Sequence, residues 1–158
     1  MMKEKTFVML KPDAMQRGLA GEIFTRLEKK GLALVAAKVV QADDKLLEKH
    51  YAEHIGKPFY DGLCSFVKQA PVLATVWEGV EAVKVVRDLL GATNGRKAAA
   101  GTIRGDYSNS HQCNLVHASD SVDSAKREMA NFFQPNEIVK AKIALADYIY
   151  SPEEQGKK

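Results

Sequence analysis

Apolar side chains fall into four short runs, and amphipathic stretches lie between them. Thr6-Phe7-Val8-Met9-Leu10 is a run of strand formers that stops at Lys11-Pro12-Asp13. Proline cannot donate to a ladder, so Lys11 is expected at a strand exit. Gly18 and Gly21 mark a loop. From Glu22 to Lys30 the apolar residues Ile23, Phe24 and Leu27 define a helical face, closed by Gly31. Leu32 to Val40, with Val35, Val39 and Val40, reads as a second strand. Asp43 or Asp44 caps a helix through Leu46, Leu47 and His50, which Lys57-Pro58-Phe59 breaks. Tyr60 opens a helix through Leu63, Phe66 and Val67, ended by Pro71. Val72 to Trp77 is a third strand, and Val80 to Leu90 a long helix closed by Gly91. Leu115-Val116-His117 ends a fourth strand. Val122, Ala125, Met129 and Phe132 line the inner face of a last helix, and Pro135 breaks it.

The order strand, helix, strand, helices, strand, helix, strand predicts an α/β (α+β) sandwich. It is the ferredoxin-like βαββαβ type, a four-stranded antiparallel sheet with helices packed on it. Residues 1–150 read as a single domain, and the polar stretch 151–158 as a fraying tail. Ala92 to Cys113 is different in kind. Glycine recurs at Gly95, Gly101 and Gly105 with little periodicity, so the segment reads as a long loop with a functional or interface role.

Composition narrows the class. The chain has 158 residues, 46% hydrophobic and 27% charged, enough for one domain with a proper core. A net charge of +3 without a basic stripe argues against a dedicated nucleic-acid site and suits a protein handling small polyanions. No apolar run approaches the roughly 20 residues of a membrane span. The first five residues lack the apolar core of a signal peptide. The two cysteines, Cys64 and Cys113, have no spacing that favours a disulfide or a metal site. The reading is a cytoplasmic protein.

The chemistry centres on His117. It sits at a strand end, and Ser119, Asp120 and Ser121 supply caps for the following helix, whose free N–H groups favour an anion. A neutral imidazole can attack phosphorus and form a covalent phosphohistidine. Glu128 shares a helical face with Ser121 and can orient the ring. Its plain alternative is a surface carboxylate. Lys11, Arg87 and Arg104 are candidate phosphate cations, although each alone reads as a solvated side chain and their convergence is not legible. Phe59 reads equally as a base-stacking platform and as a loop aromatic over the core. His50, His54 and His111 lack metal-ligand spacing and read as surface or helix-face residues. There is no G-x-x-x-x-G-K-[ST], no G-x-G-x-x-G and no G-x-S-x-G, which excludes three common devices.

From about Lys5 to Tyr150 the chain resembles the nucleoside diphosphate kinase family. The matching blocks are Thr6 to Asp13, Gln16-Arg17-Gly18, His50-Tyr51, Lys57-Pro58-Phe59-Tyr60, Val76-Trp77-Glu78-Gly79 and Gly91-Ala92-Thr93-Asn94. The most specific are Gly101-Thr102-Ile103-Arg104-Gly105-Asp106 and Asn114 to Ser121. The resemblance implies that His117 takes the γ-phosphate of a nucleoside triphosphate such as ATP. His117 then passes it to a diphosphate (GDP, CDP, UDP or a deoxy form) in a ping-pong reaction. It implies Lys11, Arg87, Thr93 and Arg104 on the phosphates, Asn114 and Lys11 on the sugar, and Phe59 with Leu63 on the base. Tyr51, Ser119 and Glu128 would position Lys11 and the histidine. Mg²⁺ would bridge the phosphates, with Asp120 reaching it through water. The implied assembly is a homo-oligomer, a hexamer before a tetramer.

The chain departs from the family at Gln112-Cys113, where Gly-Arg is usual, and at His111, where a small apolar residue near the base is common, so His111 is the position that bears on base preference. Ala118 follows the histidine in place of glycine, and the long loop lacks its usual prolines. The competing reading is a nucleotide- or nucleic-acid-binding regulator without catalysis, against which the joint presence of Lys11, Arg87, Arg104, Asn114 and His117 argues. Because attack needs a neutral ring, activity is expected to fall as acid protonates the imidazole.

Overall fold

A computed structural model of the chain describes residues 3–140 and 146–156. In chain order its elements are β1 (Lys3–Leu10), α1 (Pro12–Gln16), α2 (Ala20–Lys29), β2 (Ala33–Val40), α3 (Asp44–His50) and α4 (Tyr60–Lys68). They continue as β3 (Val72–Val80), α5 (Ala82–Leu90), α6 (Ile103–Tyr107), β4 (Val116–Ala118), α7 (Val122–Phe132) and α8 (Ala146–Ile149). Single 3₁₀ turns occupy Ala52–His54, Gly95–Lys97 and Pro135–Glu137.

The sheet runs β2-β3-β1-β4, and every neighbouring pair is antiparallel. This is the ferredoxin-like α+β arrangement that the element order predicts. The two most continuously apolar runs, β1 and β3, take the centre, where both faces are covered. Alternation along β1 splits the core. Phe7 and Met9 pack with Val67, Val76, Phe132 and the α3 residue Leu47, whereas Val8 and Leu10 pack with Ile23, Leu27, Trp77 and Val86 from β3, α2 and α5. Trp77 is fully buried, and its indole N–H donates to Thr75 Oγ1 at 2.9 Å.

Register decides what β1 and β4 bring together. Met9 is paired with His117, so the imidazole leaves the sheet on the Phe7/Met9 face, toward α3 and α7. One residue past the ladder, the Lys11 N–H donates to Leu115 O at 2.8 Å. The exit of β1 and the entry to β4 thus form one edge.

Three segments differ from the sequence expectation. The loop expected around Gly18 and Gly21 is shorter: Gly21 lies inside α2, and ahead of it α1 starts at Pro12, because proline at a first helical position sacrifices no bonded N–H and Asp13 suits the helix start. β3 extends to Val80, and Glu81 in the left-handed region (φ 50°) makes the turn into α5, which starts at Ala82. The long loop contains α6, capped by Thr102 Oγ1, which accepts the Gly105 N–H at 3.1 Å; a five-residue helix is too short to display a period. Beyond α8, Gln155 Nε2 donates to Ala146 O and Tyr150 O.

Gly105 lies against the loop backbone. A Cβ there would overlap the carbonyl of Ala99. Gly105→Ala is expected to destabilise the protein by about 1–3 kcal/mol, as overpacking does, and to lower Tm by several degrees in a thermal melt. A Tm equal to the wild type would mean that this close approach does not constrain the loop.

Candidate active site

The histidine is reached through an unusual turn. Leu115 adopts a left-handed conformation (φ 72°) that a buried, γ-branched residue rarely takes. Asp13 Oδ2 holds it there by accepting the Leu115 N–H at 3.0 Å, and Leu115 O accepts from Lys11. Strain of this kind, about 1–3 kcal/mol, persists where surroundings over-determine it and gathers at functional sites. Here it turns the chain so that Asn114 faces Lys11 and β4 starts at Val116.

His117 Nε2 lies 2.9 Å from Glu128 Oε1, and Ser119 Oγ donates to Glu128 Oε2 at 2.5 Å. Ser119 is fully buried, and the Glu128 side chain is 12% exposed against 25% for His117. With the carboxylate an acceptor only, the bond assigns the proton to Nε2 and leaves the lone pair on Nδ1. The ring is also fixed from the side. His50 lies edge-on at 4.7 Å between centroids, Tyr51 at 6.1 Å and Phe7 at 6.2 Å.

The cations sit behind the histidine. Lys11 is buried, with Nζ donating to Asn114 Oδ1 (2.7 Å) and Gln112 O (2.8 Å). Burial, with a lesser effect of nearby Arg104, lowers its pKa to about 8 against the opposing pull of Asp13 and Cys113. Arg104 donates to three backbone carbonyls, Asn114 O (3.1 Å), Gly91 O (2.9 Å) and Val116 O (2.5 Å), so it cross-links the walls of the site. Burial, then Arg87, lowers its pKa to about 10, which leaves it charged at neutral pH. A guanidinium has five N–H donors, and two remain for a ligand. Asn114 commits both amide hydrogens, to Thr93 O and His111 O.

These groups line a cavity of about 660 Å³, within the range of small-molecule sites. Lys11, Tyr51, Leu63, Arg87, Thr93, Arg104, Asn114, His117, Asp120 and Glu128 all line it. Hydrogen bonds from Ser124, then Ser121, together with Arg87, hold the Asp120 carboxyl below its usual range despite opposing desolvation. Ser119 is behind the lining and acts on it through Glu128. Phe59 is not part of the lining. It is 52% exposed at the rim, with its ring 5.4 Å from that of His54. Gln112, where the chain departs from the usual pattern, bridges the loop to α4 through Gly62 O at 3.2 Å.

Sequence reasoning passed over several wall residues, among them Lys49 and Arg127. Arg127 pairs with Glu53 at 2.7 Å across the rim. His50 is corrected from a surface or helix-face residue: both ring nitrogens are buried without a hydrogen-bond partner. Its place four residues after Leu46, on the inward face of α3, was the available signal.

The chain matches the family model for nucleoside diphosphate kinase over residues 4–138. It is 54% identical to nucleoside diphosphate kinase of Saccharomyces cerevisiae over 147 residues, 93% of this chain and 96% of that protein. It is 50% identical to the Rhodopirellula baltica enzyme over 151 residues, 96% and 99% of the two chains. Among solved structures, a halophilic nucleoside diphosphate kinase from Halobacterium salinarum in complex with CDP superimposes with a TM-score of 0.92 at 50% identity, covering 95% of this chain and all of that one. A Babesia bovis nucleoside diphosphate kinase family protein gives 0.89 at 46% identity, over 93% and 99%. With a strand-end imidazole oriented by a carboxylate and cations gathered behind it, and with likeness this extensive in both sequence and fold, the chain belongs to the nucleoside diphosphate kinase family and transfers phosphate between nucleotides.

Proposed function

We propose that His117 is the transient carrier of that phosphate. The γ-phosphate of ATP passes to His117 Nδ1, ADP leaves, and a nucleoside diphosphate such as GDP, CDP, UDP or a deoxy form enters the same cavity and takes it. The supporting observation is the His117–Glu128–Ser119 chain, which ties up Nε2 and leaves the Nδ1 lone pair for attack. In the first half-reaction the Nδ1–P bond forms as the bond from phosphorus to the β,γ-bridging oxygen breaks, and that oxygen leaves on ADP. The second half-reaction reverses this with the acceptor's terminal phosphate oxygen. As Nδ1 becomes bonded to phosphorus the ring gains positive charge, and Glu128 stabilises it through the Nε2–H. Lys11, Arg87, Thr93 and Arg104 hold the phosphates by positioning and charge, the usual burden in phosphoryl transfer. Tyr51 braces the imidazole. Asn114 holds Lys11 and keeps its remaining acceptor capacity for the sugar. Phe59 and Leu63 flank the base, where stacking tolerates every base because each has a π-face.

Nucleotide kinases of this family need a divalent metal. We assign it as Mg²⁺, a hard ion that retains waters and prefers carboxylate and phosphate oxygens. The Asp120 carboxylate on the cavity wall fits that preference and would hold the ion through water. When bound, Mg²⁺ neutralises phosphate charge. Assembly is proposed as a homo-oligomer, hexameric in preference to tetrameric, and residence as cytoplasmic, in keeping with free thiols at Cys64 and Cys113. Among the described residues no helix is long and apolar enough to cross a membrane.

Incubation with γ-labelled ATP is expected to give a phosphoenzyme stable in base and lost in acid, whose label moves to added GDP. Absence of labelling in active protein would sink the covalent route.

Lys11 gives a pH signature. With its pKa near 8 in the free protein, it loses its proton above that pH, and polyphosphate favours the protonated form. Binding at about pH 9 is therefore expected to take up a proton and to weaken as pH rises, while near pH 6.5 Lys11 contributes no uptake. Calorimetric binding enthalpies in buffers of different ionisation heat measure this. Lys11→Arg is expected to remove the uptake, and its persistence in that variant would assign it to another group.

A further inference from the structure

His50 contributes no hydrogen bond, yet both of its ring nitrogens are enclosed next to the nucleophile. Leaving such a polar atom unpartnered costs about 1–3 kcal/mol. An imidazole with neither nitrogen hydrogen-bonded has a lone pair to spare for a ligand. His50, His117 and Glu128 each offer a ligand atom, and these atoms lie within 4.8 Å of one another. All three residues line the cavity, so an ion has an entry path.

We propose that His50, His117 and Glu128 form a site for a borderline-soft divalent ion, Zn²⁺ in the first instance, which blocks phosphate transfer by seizing His117 Nε2. Two imidazoles and one carboxylate with a fourth position open to the cavity make a donor set typical of zinc and poorly suited to Mg²⁺. Tetrahedral ligands at about 2.0–2.1 Å from the metal stand roughly 3.4 Å apart. His50 must therefore move inward by about 1 Å, and the His117–Glu128 pair, 2.9 Å apart, must open slightly. Both are side-chain adjustments.

The block follows from proton accounting. The Nε2–H of His117 is exchanged for an Nε2–Zn bond, and Glu128 exchanges a hydrogen bond for a metal bond. A neutral imidazole has one lone pair. Once the metal holds it on Nε2, the ring proton sits on Nδ1, having moved there through solvent. Nδ1 then has no pair with which to attack phosphorus. The site is distinct from the Mg²⁺ position on the phosphates, so excess Mg²⁺ does not compete for it.

Binding stands on geometry alone, whereas the block rests on the assignment of His117 as nucleophile. Two measurements separate them. Co²⁺ is added to nucleotide-free protein carrying Cys113→Ser, so that the exposed thiol does not contribute. One equivalent is expected to give the visible absorption of a tetrahedral site. His50→Leu is expected to weaken that binding by at least about tenfold, with circular dichroism checking the fold and His50→Gln used if the leucine variant does not fold. Equal binding in the His50 variant would overturn the site.

In the second measurement Zn²⁺ is added to labelling with γ-labelled ATP in excess Mg²⁺. Phosphoenzyme is expected to fall and to return with chelator, and the half-inhibitory concentration to rise by at least about tenfold in the His50 variant. Undiminished labelling at saturating Zn²⁺ would overturn the block. A protein that labels neither with nor without zinc would fail as a covalent kinase, and the Co²⁺ titration would still decide the site.

Discussion

Replacing His117 by alanine is expected to lower phosphate transfer by at least about four orders of magnitude, the scale on which removal of a covalent nucleophile operates. Nucleotide affinity is expected to stay within a few-fold, because the phosphate contacts proposed for Lys11, Arg87, Thr93 and Arg104, which all line the cavity, do not involve the imidazole. The fold should survive. Ser119 still donates to Glu128, and the alanine leaves a gap that opens onto the cavity. Label from ATP should be absent from the variant, while calorimetric binding of nucleoside diphosphate is retained. Transfer within about tenfold of wild type would rule His117 out as the carrier. Loss of binding along with transfer would instead mark His117 as part of the recognition surface.

Arg104→Ala is expected to act twice. The guanidinium ties Gly91, Asn114 and Val116 together, and hydrogen bonds from a charged donor contribute about 1.5–3 kcal/mol each. Water entering from the cavity replaces part of that, so a net loss of roughly 2–4 kcal/mol follows, with Tm lower by about 5–15 °C for a chain of this size. Below the melting range, kcat is expected to fall by about 10²–10³, as when one donor to developing charge is removed. Arg104→Lys separates the two effects. It keeps the charge but cannot reach three carbonyls, so it should recover rate in greater proportion than stability. An Arg104→Ala variant with unchanged Tm would show that the cross-link does not support the wall. One with kcat within about twofold of wild type would show that Arg104 does not act on the phosphate.

Arg104 illustrates what a sequence conceals. Read along the chain, Arg104 is a cation in a glycine-rich segment. Its burial and its three carbonyl partners arise from α5, β4 and the turn before β4, which share no local pattern. Lys11 behaves similarly. Pro12 announces a strand exit, but the pKa near 8 comes from enclosure under a loop roughly 100 residues later. Glu128 is the counter-example, because helical spacing from Ser121 already put it on the histidine's side. Phe59 lies at the rim rather than in the wall, with solvent on half of its surface, a placement that its position after Pro58 does not encode.

Local periodicity by itself determined the four strands, the main helices and hence the ferredoxin-like order, because alternation and 3.6-residue spacing are written into neighbouring residues. It also determined the presence of a strand-end histidine followed by hydroxyl and carboxylate caps, and the family resemblance carried by those blocks. Only the tertiary structure decided the left-handed turn at Leu115, the pairing of Met9 with His117 and the convergence of Lys11, Arg87 and Arg104. It alone brought His50 against His117. Those features depend on strand register and on contacts between residues far apart in the chain, and hydrophobic spacing within one segment carries no record of what packs against it from another.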